Sequence, residues 1–294
     1  MSLRHLRRHV PVLVVAALAM TGTGHRAADA ATSARAIRAV DFRNGFTYDG
    51  GYGPIIVRGG EYSNDSDDAR EFFKVIDVIY GDLDGDGRDE AAVSTLDNTG
   101  GTGQFTDVTI YAMKAGRASP VTSHGIGDRA DGGVYDARIS GRRLIIDRFG
   151  QENSGACCPT YIEQNVLNLR GRKLVAVARP TRRAYISLGR EDGPVEVKFL
   201  RGGNAATIEG LADGNNRGHF FEANAGQTAR ITVPPARKGE PVIIVGVRQG
   251  GGLVGSVSSG STLSVKLRAT DAYLFVLSGG DDSGYYARFD LEIR

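Results

Sequence analysis

Short runs of β-branched and aromatic residues, each cut off by a glycine-rich turn, recur roughly every 8–12 residues along this chain. That spacing constrains the fold more than any other feature. A helix needs apolar residues three and four positions apart over a longer stretch, and beyond residues 1–30 such stretches are almost absent. The 41 glycines fall largely in clusters between the runs, such as Gly59-Gly60, Gly100-Gly101, Gly250-Gly251-Gly252 and Gly279-Gly280, where turns call for backbone angles that side chains resist.

The runs predict strands at Val40–Tyr48, Phe72–Tyr80, Glu90–Leu96, Thr106–Met113, Gly133–Ile139, Arg143–Phe149, Tyr161–Leu169 and Lys173–Ala178 in the first half. In the second half they predict Val195–Leu200, Ala206–Glu209, Gly218–Ala223, Ala229–Val233, Pro241–Val247, Thr262–Arg268, Ala272–Leu277 and Tyr286–Ile293. In the last of these, Ala287, Phe289, Leu291 and Ile293 alternate with Arg288, Asp290, Glu292 and Arg294, the pattern of a strand with one face on a core and one in water. Asn64–Arg70 reads as a polar loop or a short helical turn. The expected class is all-β, as sandwiches or barrels and not a parallel α/β sheet. Pro180-Thr-Arg-Arg183 marks a boundary, dividing the chain into an export segment (1–30), an N-terminal β domain (31–182) and a C-terminal β-sandwich (183–294).

The export reading rests on Arg4, Arg7 and Arg8 ahead of the apolar run Val10–Met20, with Ala28-Asp29-Ala30 as a cleavage site before Ala31. The residues around Arg7-Arg8 match a twin-arginine signal poorly. The apolar run is about half of the ~20 residues a spanning helix needs, so no membrane span is expected. The expected location is secreted or periplasmic. Cleavage would remove four basic side chains and one acidic one from totals of 36 Lys+Arg and 34 Asp+Glu, leaving a nearly neutral protein whose arginines are scattered among acids. Nucleic acid is therefore not an expected partner. The two cysteines, Cys157 and Cys158, are adjacent and cannot staple distant segments; they are open to a vicinal disulfide, two free thiols or an intermolecular link.

Asp82-Leu-Asp-Gly-Asp-Gly-Arg-Asp-Glu90 is the clearest site signal. Calcium takes six to eight oxygens, and alternating carboxylates with glycines at the tight turns supply them. Asp82, Asp84 and Asp86 occupy positions 1, 3 and 5, the carbonyl of Arg88 falls at 7, and Glu90 lies at 9. An EF-hand would need Glu at position 12, which here is Val93. With strands predicted on both sides, the loop resembles the calcium loops of FG-GAP and VCBS repeats, with Glu90 where those repeats usually carry Asp and Asp89 as the substitute. Calcium is the expected cofactor. A metal-free acidic turn is the competing reading.

The second half carries Val197-Lys-Phe-Leu-Arg-Gly-Gly203, Ala206-Thr-Ile-Glu-Gly210, His219-Phe-Phe-Glu-Ala-Asn-Ala-Gly-Gln227 and the closing alternating strand. This order resembles the jelly-roll β-sandwich of bacterial pre-peptidase C-terminal domains and of periplasmic inhibitors of g-type lysozyme. The resemblance implies a jelly-roll-like sandwich. It also implies either an accessory role beside a secreted hydrolase or the blocking of a lysozyme by an inserted loop. Gly246–Gly260, with Arg248, Gln249, Gly250 and Gly251, is the candidate protruding loop for such a protein or cell-wall partner.

Catalytic machinery is not expected. Beyond the export segment only His124 and His219 remain, and neither lies in a nucleophile or zinc motif; Ser123-His124 reads as a turn ending at Gly125. Gly100-Gly-Thr-Gly-Gln104 lacks the ending of a phosphate loop. There is no Trp to offer a sugar platform. The expected function is a non-enzymatic binding protein with one calcium-stabilised loop, lysozyme-inhibitor-like at the cell envelope. The alternative is an accessory module of a secreted hydrolase, or a hydrolase with an unrecognised site.

Overall fold

A computed structural model describes residues 36–294 apart from 52, 67–68, 102, 129–131, 152–158, 189–194, 213–217 and 280–283. The export segment 1–30 and the Cys157-Cys158 pair lie outside the described residues. The chain is nearly all-β, as expected. Apart from one helical turn at residues 36–38, the regular elements are strands.

Strands β1 (Thr47–Gly50) and β2 (Gly53–Ile56) form a hairpin. A five-stranded antiparallel meander follows: β3 (Glu61–Ser66), β4 (Ala69–Gly81), β5 (Glu90–Thr99), β6 (Phe105–Lys114) and β7 (Arg117–Gly127). The chain continues through β8 (Val134–Ser140), β9 (Arg143–Gly150), β10 (Tyr161–Arg170), β11 (Lys173–Ala176), β12 (Thr181–Leu188), β13 (Val195–Glu196) and β14 (Ala205–Ala212). It ends with β15 (His219–Ala223), β16 (Thr228–Thr232), β17 (Ile244–Gln249), β18 (Gly252–Ser258), β19 (Thr262–Lys266), β20 (Asp271–Ser278) and β21 (Tyr285–Ile293).

A nine-stranded sheet in the order β19-β16-β21-β14-β12-β10-β9-β8, with β11 paired to β10, is the spine of the molecule. Its C-terminal strands pack on a second five-stranded sheet, β13-β15-β20-β17-β18, through Ile208, Ile231, Phe289 and Leu291 on one side and Phe221, Val245, Val247, Tyr273 and Phe275 on the other. Its N-terminal strands pack on the meander through Leu144, Ile146, Leu167 and Leu169 against Ala92, Val108 and Ile110. The meander's other face is covered by Ile37, Phe42, Tyr48 and Val57. That double cover explains why residues Glu90–Thr95 of β5 are buried without a break.

Several segments differ from the sequence reading, each for a local reason. Of Val40–Tyr48 only Thr47 and Tyr48, the start of β1, are strand, because Phe42 and Phe46 are needed as plugs: their rings lie 4.7 Å apart and both pack on Tyr111. Ser123-His124-Gly125 is not a turn but part of β7, an edge strand whose Pro120 is tolerated beside a register shift opposite Ile110/Tyr111. Asn64–Ser66 is strand, in β3. The expected boundary at 182/183 falls inside β12, which pairs antiparallel with β10 on one side and parallel with β14 on the other.

Arg182 and Arg183, read in the sequence as boundary markers, are pairing residues. Glu163 at the centre of β10 is almost fully buried, and it accepts from Arg148 on β9 at 2.6 Å and from Arg182 on β12 at 2.7 Å. Burial opposes its ionisation, but the two guanidinium hydrogen bonds outweigh that and hold the carboxyl below its ordinary value of 4.5. A lowered folded value means that this contribution is complete above the ordinary glutamate range and is lost as pH falls through the lowered value. Glu163→Gln should lower stability near neutral pH by about 1–3 kcal/mol. It should also flatten the acid limb of the stability curve, measured by urea unfolding across pH; an unchanged acid limb would refute the role given to this pair.

Candidate metal centre

The loop Asp82–Asp89 closes the β4–β5 hairpin, whose ladder ends at Gly81 opposite Glu90. Leu83, 2% exposed, anchors it by packing into the core shared by the meander and the nine-stranded sheet. With Leu83 turned inward, the residues on either side of it face outward. Asp82, Asp84 and Asp86 each offer a carboxylate oxygen, and the three oxygens lie within 4.8 Å of one another. Asp82 is half-buried; Asp84 and Asp86 are exposed.

Backbone amides shape the cluster. Asp82 accepts from the N–H of Gly85 at 2.5 Å and of Gly87 at 3.1 Å, Asp84 from that of Asp86 at 3.0 Å, and Asp86 from that of Arg88 at 2.8 Å. These bonds need φ of +83° at Gly85 and +87° at Gly87, where any side chain is strained. Arg142, from the turn between β8 and β9, reaches over the loop and donates to the carbonyl of Asp84 at 2.8 Å. No local pattern points to Arg142, which lies 58 residues from Asp84.

The structure brings the three aspartates together, and the side chains of Arg88, Asp89 and Glu90 have contacts of their own. Glu90 is buried, and its carboxylate accepts from the N–H of Leu83 at 2.8 Å. Burial pushes its pKa up to about 7, the Leu83 amide and the neighbouring acids acting as smaller influences. The side chain of Arg88 lies 3.6 Å from Asp86. Asp89, the substitute for Glu90, is paired with Arg38 at 2.6 Å. Three oxygen donors of negative charge, with no nitrogen or sulfur ligand in the group, fit a hard divalent cation such as calcium better than zinc or copper. Such an ion would offset the mutual repulsion of Asp82, Asp84 and Asp86.

The second expected site takes a different form from a loop. Residues of Gly246–Gly260 form β17 and β18, an antiparallel hairpin with a register shift at Val247/Arg248. Its tip is Gly250-Gly251, both at positive φ. Arg248 is exposed, and Gln249 donates to Asp271 at 3.0 Å. Gly246 is buried within the sheet and forms no part of the protruding tip. His124 is half-buried on β7, and burial together with Arg148 lowers its pKa, with Asp107 acting the other way.

No protein-family model and no curated protein sequence matches the chain. Among solved structures, the chain is similar to the periplasmic lysozyme inhibitor of g-type lysozyme, PliG, from Aeromonas hydrophila. The match has 18% identity and a TM-score of 0.28, and covers 38% of this chain and 100% of that one.

Gly85→Ala tests the loop geometry. A Cβ there would sit 1.6 Å from an Arg142 guanidinium nitrogen, so Arg142 must leave the Asp84 carbonyl, and the left-handed backbone adds about 1–2 kcal/mol. The expected loss is about 2–3 kcal/mol in urea unfolding, the backbone part plus the displaced Arg142 hydrogen bond. In an Arg142→Ala background the loss should shrink toward the backbone part alone; equal losses in both backgrounds would show that Arg142 does not cover the loop.

Proposed function

We propose that this protein is a secreted or periplasmic, non-enzymatic binding protein, stabilised by one calcium ion in the Asp82–Glu90 loop and acting on a protein or cell-wall partner at the cell envelope. The observation that carries the reading is the trio of aspartates gathered by backbone amides at the end of a hairpin whose Leu83 is set in the core. A cation there would rigidify a β scaffold at the end of one hairpin. Export is supported by Arg4–Ala31. No helix among the described residues is long and apolar enough to cross a membrane.

The finer form is inhibition of a lysozyme, with the Arg248–Gly251 hairpin tip as the contact. It is supported by the sequence resemblance of the second half and by the exposure of Arg248 and Gly250-Gly251. A tip of this kind can enter a cleft with little loss of conformational freedom, because β17 and β18 hold it from both sides.

Two measurements test the reading. Calcium at about 100 times its dissociation constant should add about 2.7 kcal/mol of stability, seen as a rise in Tm that chelator reverses and that Asp84→Asn abolishes. A calcium response that survives Asp84→Asn would remove the loop from the assignment. For the partner, cell-wall lysis by g-, c- and i-type lysozymes should be blocked selectively for one type, with Arg248→Ala weakening the block at least ten-fold. No block of any type at about micromolar protein would overturn the inhibitor form and favour the hydrolase-accessory alternative.

A further inference from the structure

The face of the nine-stranded sheet turned away from the core is not an open polar surface. A cavity of ≈ 410 Å³ lies between it and the Pro234–Pro241 connection, within the size range of small-molecule sites. Tyr135 of β8, Phe149 of β9, and Tyr286 and Arg288 of β21 contribute to its lining. Glu209 of β14 forms part of the cavity wall; 5% exposed, it accepts hydrogen bonds from the hydroxyls of Tyr135, Tyr185 and Tyr286. With three phenolic donors, that carboxylate is satisfied without a cation.

Arg288 is the exception in this ordered group. Its guanidinium lies over the Tyr135 ring, 4.5 Å from the centroid, and its Nε is buried and 4.0 Å from Glu209, beyond hydrogen-bond reach. The Nε has no hydrogen-bond partner. A buried donor left unbonded costs roughly 1–3 kcal/mol; a ligand does not reach Nε itself, but an acceptor on the adjoining Nη groups would give this poorly paired guanidinium a counter-charge. The side chain is 25% exposed, and Arg288 lines both this cavity and a neighbouring one of ≈ 390 Å³. The stacking on Tyr135 holds the fork in place, and the two Nη groups are its accessible end.

The geometry points to a binding site for a small monocarboxylate that carries an aromatic or other apolar body, with its carboxylate on the end-on fork of Arg288 and its body against Phe149, Tyr286 and Ile243. A planar carboxylate matches a guanidinium with two parallel hydrogen bonds. A phosphate dianion fits less well for two reasons. Pro234, Pro235 and Pro241 lack the N–H groups that its further oxygens would need, and Glu209 and Glu240 line the cavity along with Arg288 and Arg237, which disfavours a second negative charge on the ligand. Tyr286 supplies a ring whose position is fixed by its hydroxyl bond to Glu209, although the residue is 59% exposed. The ligand class covers both a free aromatic acid and the C-terminus of a peptide ending in an apolar residue.

The test is ligand-observed NMR titration of the intact protein with 3-phenylpropionate, its amide, phenyl phosphate and N-acetyl-phenylalanine. The carboxylates should bind with a Kd of about 1 mM or tighter, and the amide and phosphate at least ten-fold more weakly. Arg288→Lys, which keeps the charge and removes the fork, should weaken 3-phenylpropionate at least ten-fold. Tyr286→Ala, at an exposed position that the fold tolerates, should weaken it several-fold and decides the matter if the lysine variant does not fold. Tighter binding of N-acetyl-phenylalanine assigns the site to peptide termini, and tighter binding of 3-phenylpropionate to free acids. Equal binding of acid and amide, no binding of either acid at about 10 mM, or an affinity that neither variant changes would overturn the proposal.

Discussion

The pairing of β12 with β14 is the constraint on which the rest of this structure depends. Ala184–Leu188 runs parallel to Ala206–Gly210, and this ladder joins two sets of strands that are otherwise each connected antiparallel within themselves. A parallel pair cannot be closed by a tight turn. It needs a crossover of a dozen or more residues, and here the connection from β12 to β14 contributes β13 to the opposing sheet. Gly210 allows the fit, since a Cβ there would come within 2.4 Å of the Leu188 carbonyl oxygen. With that ladder in place, the core around Ile146 and Leu167 and the core around Ile208 and Phe289 lie on strands of one sheet.

Side chains on the outward face reinforce the same seam with charge. Asp147 of β9, 2% exposed, accepts from Arg183 of β12 at 2.9 Å and from Gln164 of β10 at 2.9 Å. Arg183 donates in turn to Thr207 of β14 at 2.6 Å, and Thr207 to Asp290 of β21. The relay crosses five strands, β9, β10, β12, β14 and β21. Buried ionic groups contribute little net stability once desolvation is counted, but any slip in register strands them unpaired at a cost of several kcal/mol. Their role is therefore to fix how β12 sits between β10 and β14, while apolar burial on the other face supplies the driving force.

Class and most strand positions were legible because glycine clusters and period-two alternation are local signals. The aspartate trio was legible for the same reason, since all its members fall within five residues. Long-range pairing was not. Arg182 and Arg183 read as boundary markers after a proline, because Glu163 and Asp147, which neutralise them, lie 19 and 36 residues away in sequence. The closing strand was read correctly for its inner face: Ala287, Phe289, Leu291 and Ile293 are all buried. Its outer face was read as open to water because alternation records polarity and not what a remote segment lays over it. The Pro234–Pro241 connection covers part of that face and turns Arg288 from a surface charge into a cavity residue.

The same distinction between local and remote determinants separates the candidate sites. The aspartate trio depends on one hairpin, so its geometry survives wherever β4 and β5 pair and Leu83 is buried. The cavity around Arg288 depends on β8, β9, β14, β21 and the Pro234–Pro241 connection at once, so it exists only after β12 has joined the two halves. The two sites share no residue. Partial unfolding that opens the β12–β14 ladder should thus destroy the cavity while leaving the loop's carboxylates together, since the bonds that gather them run between Asp82 and Arg88 alone. The candidate metal loop thus rests on the more local element, and the most composite surface lies at the seam.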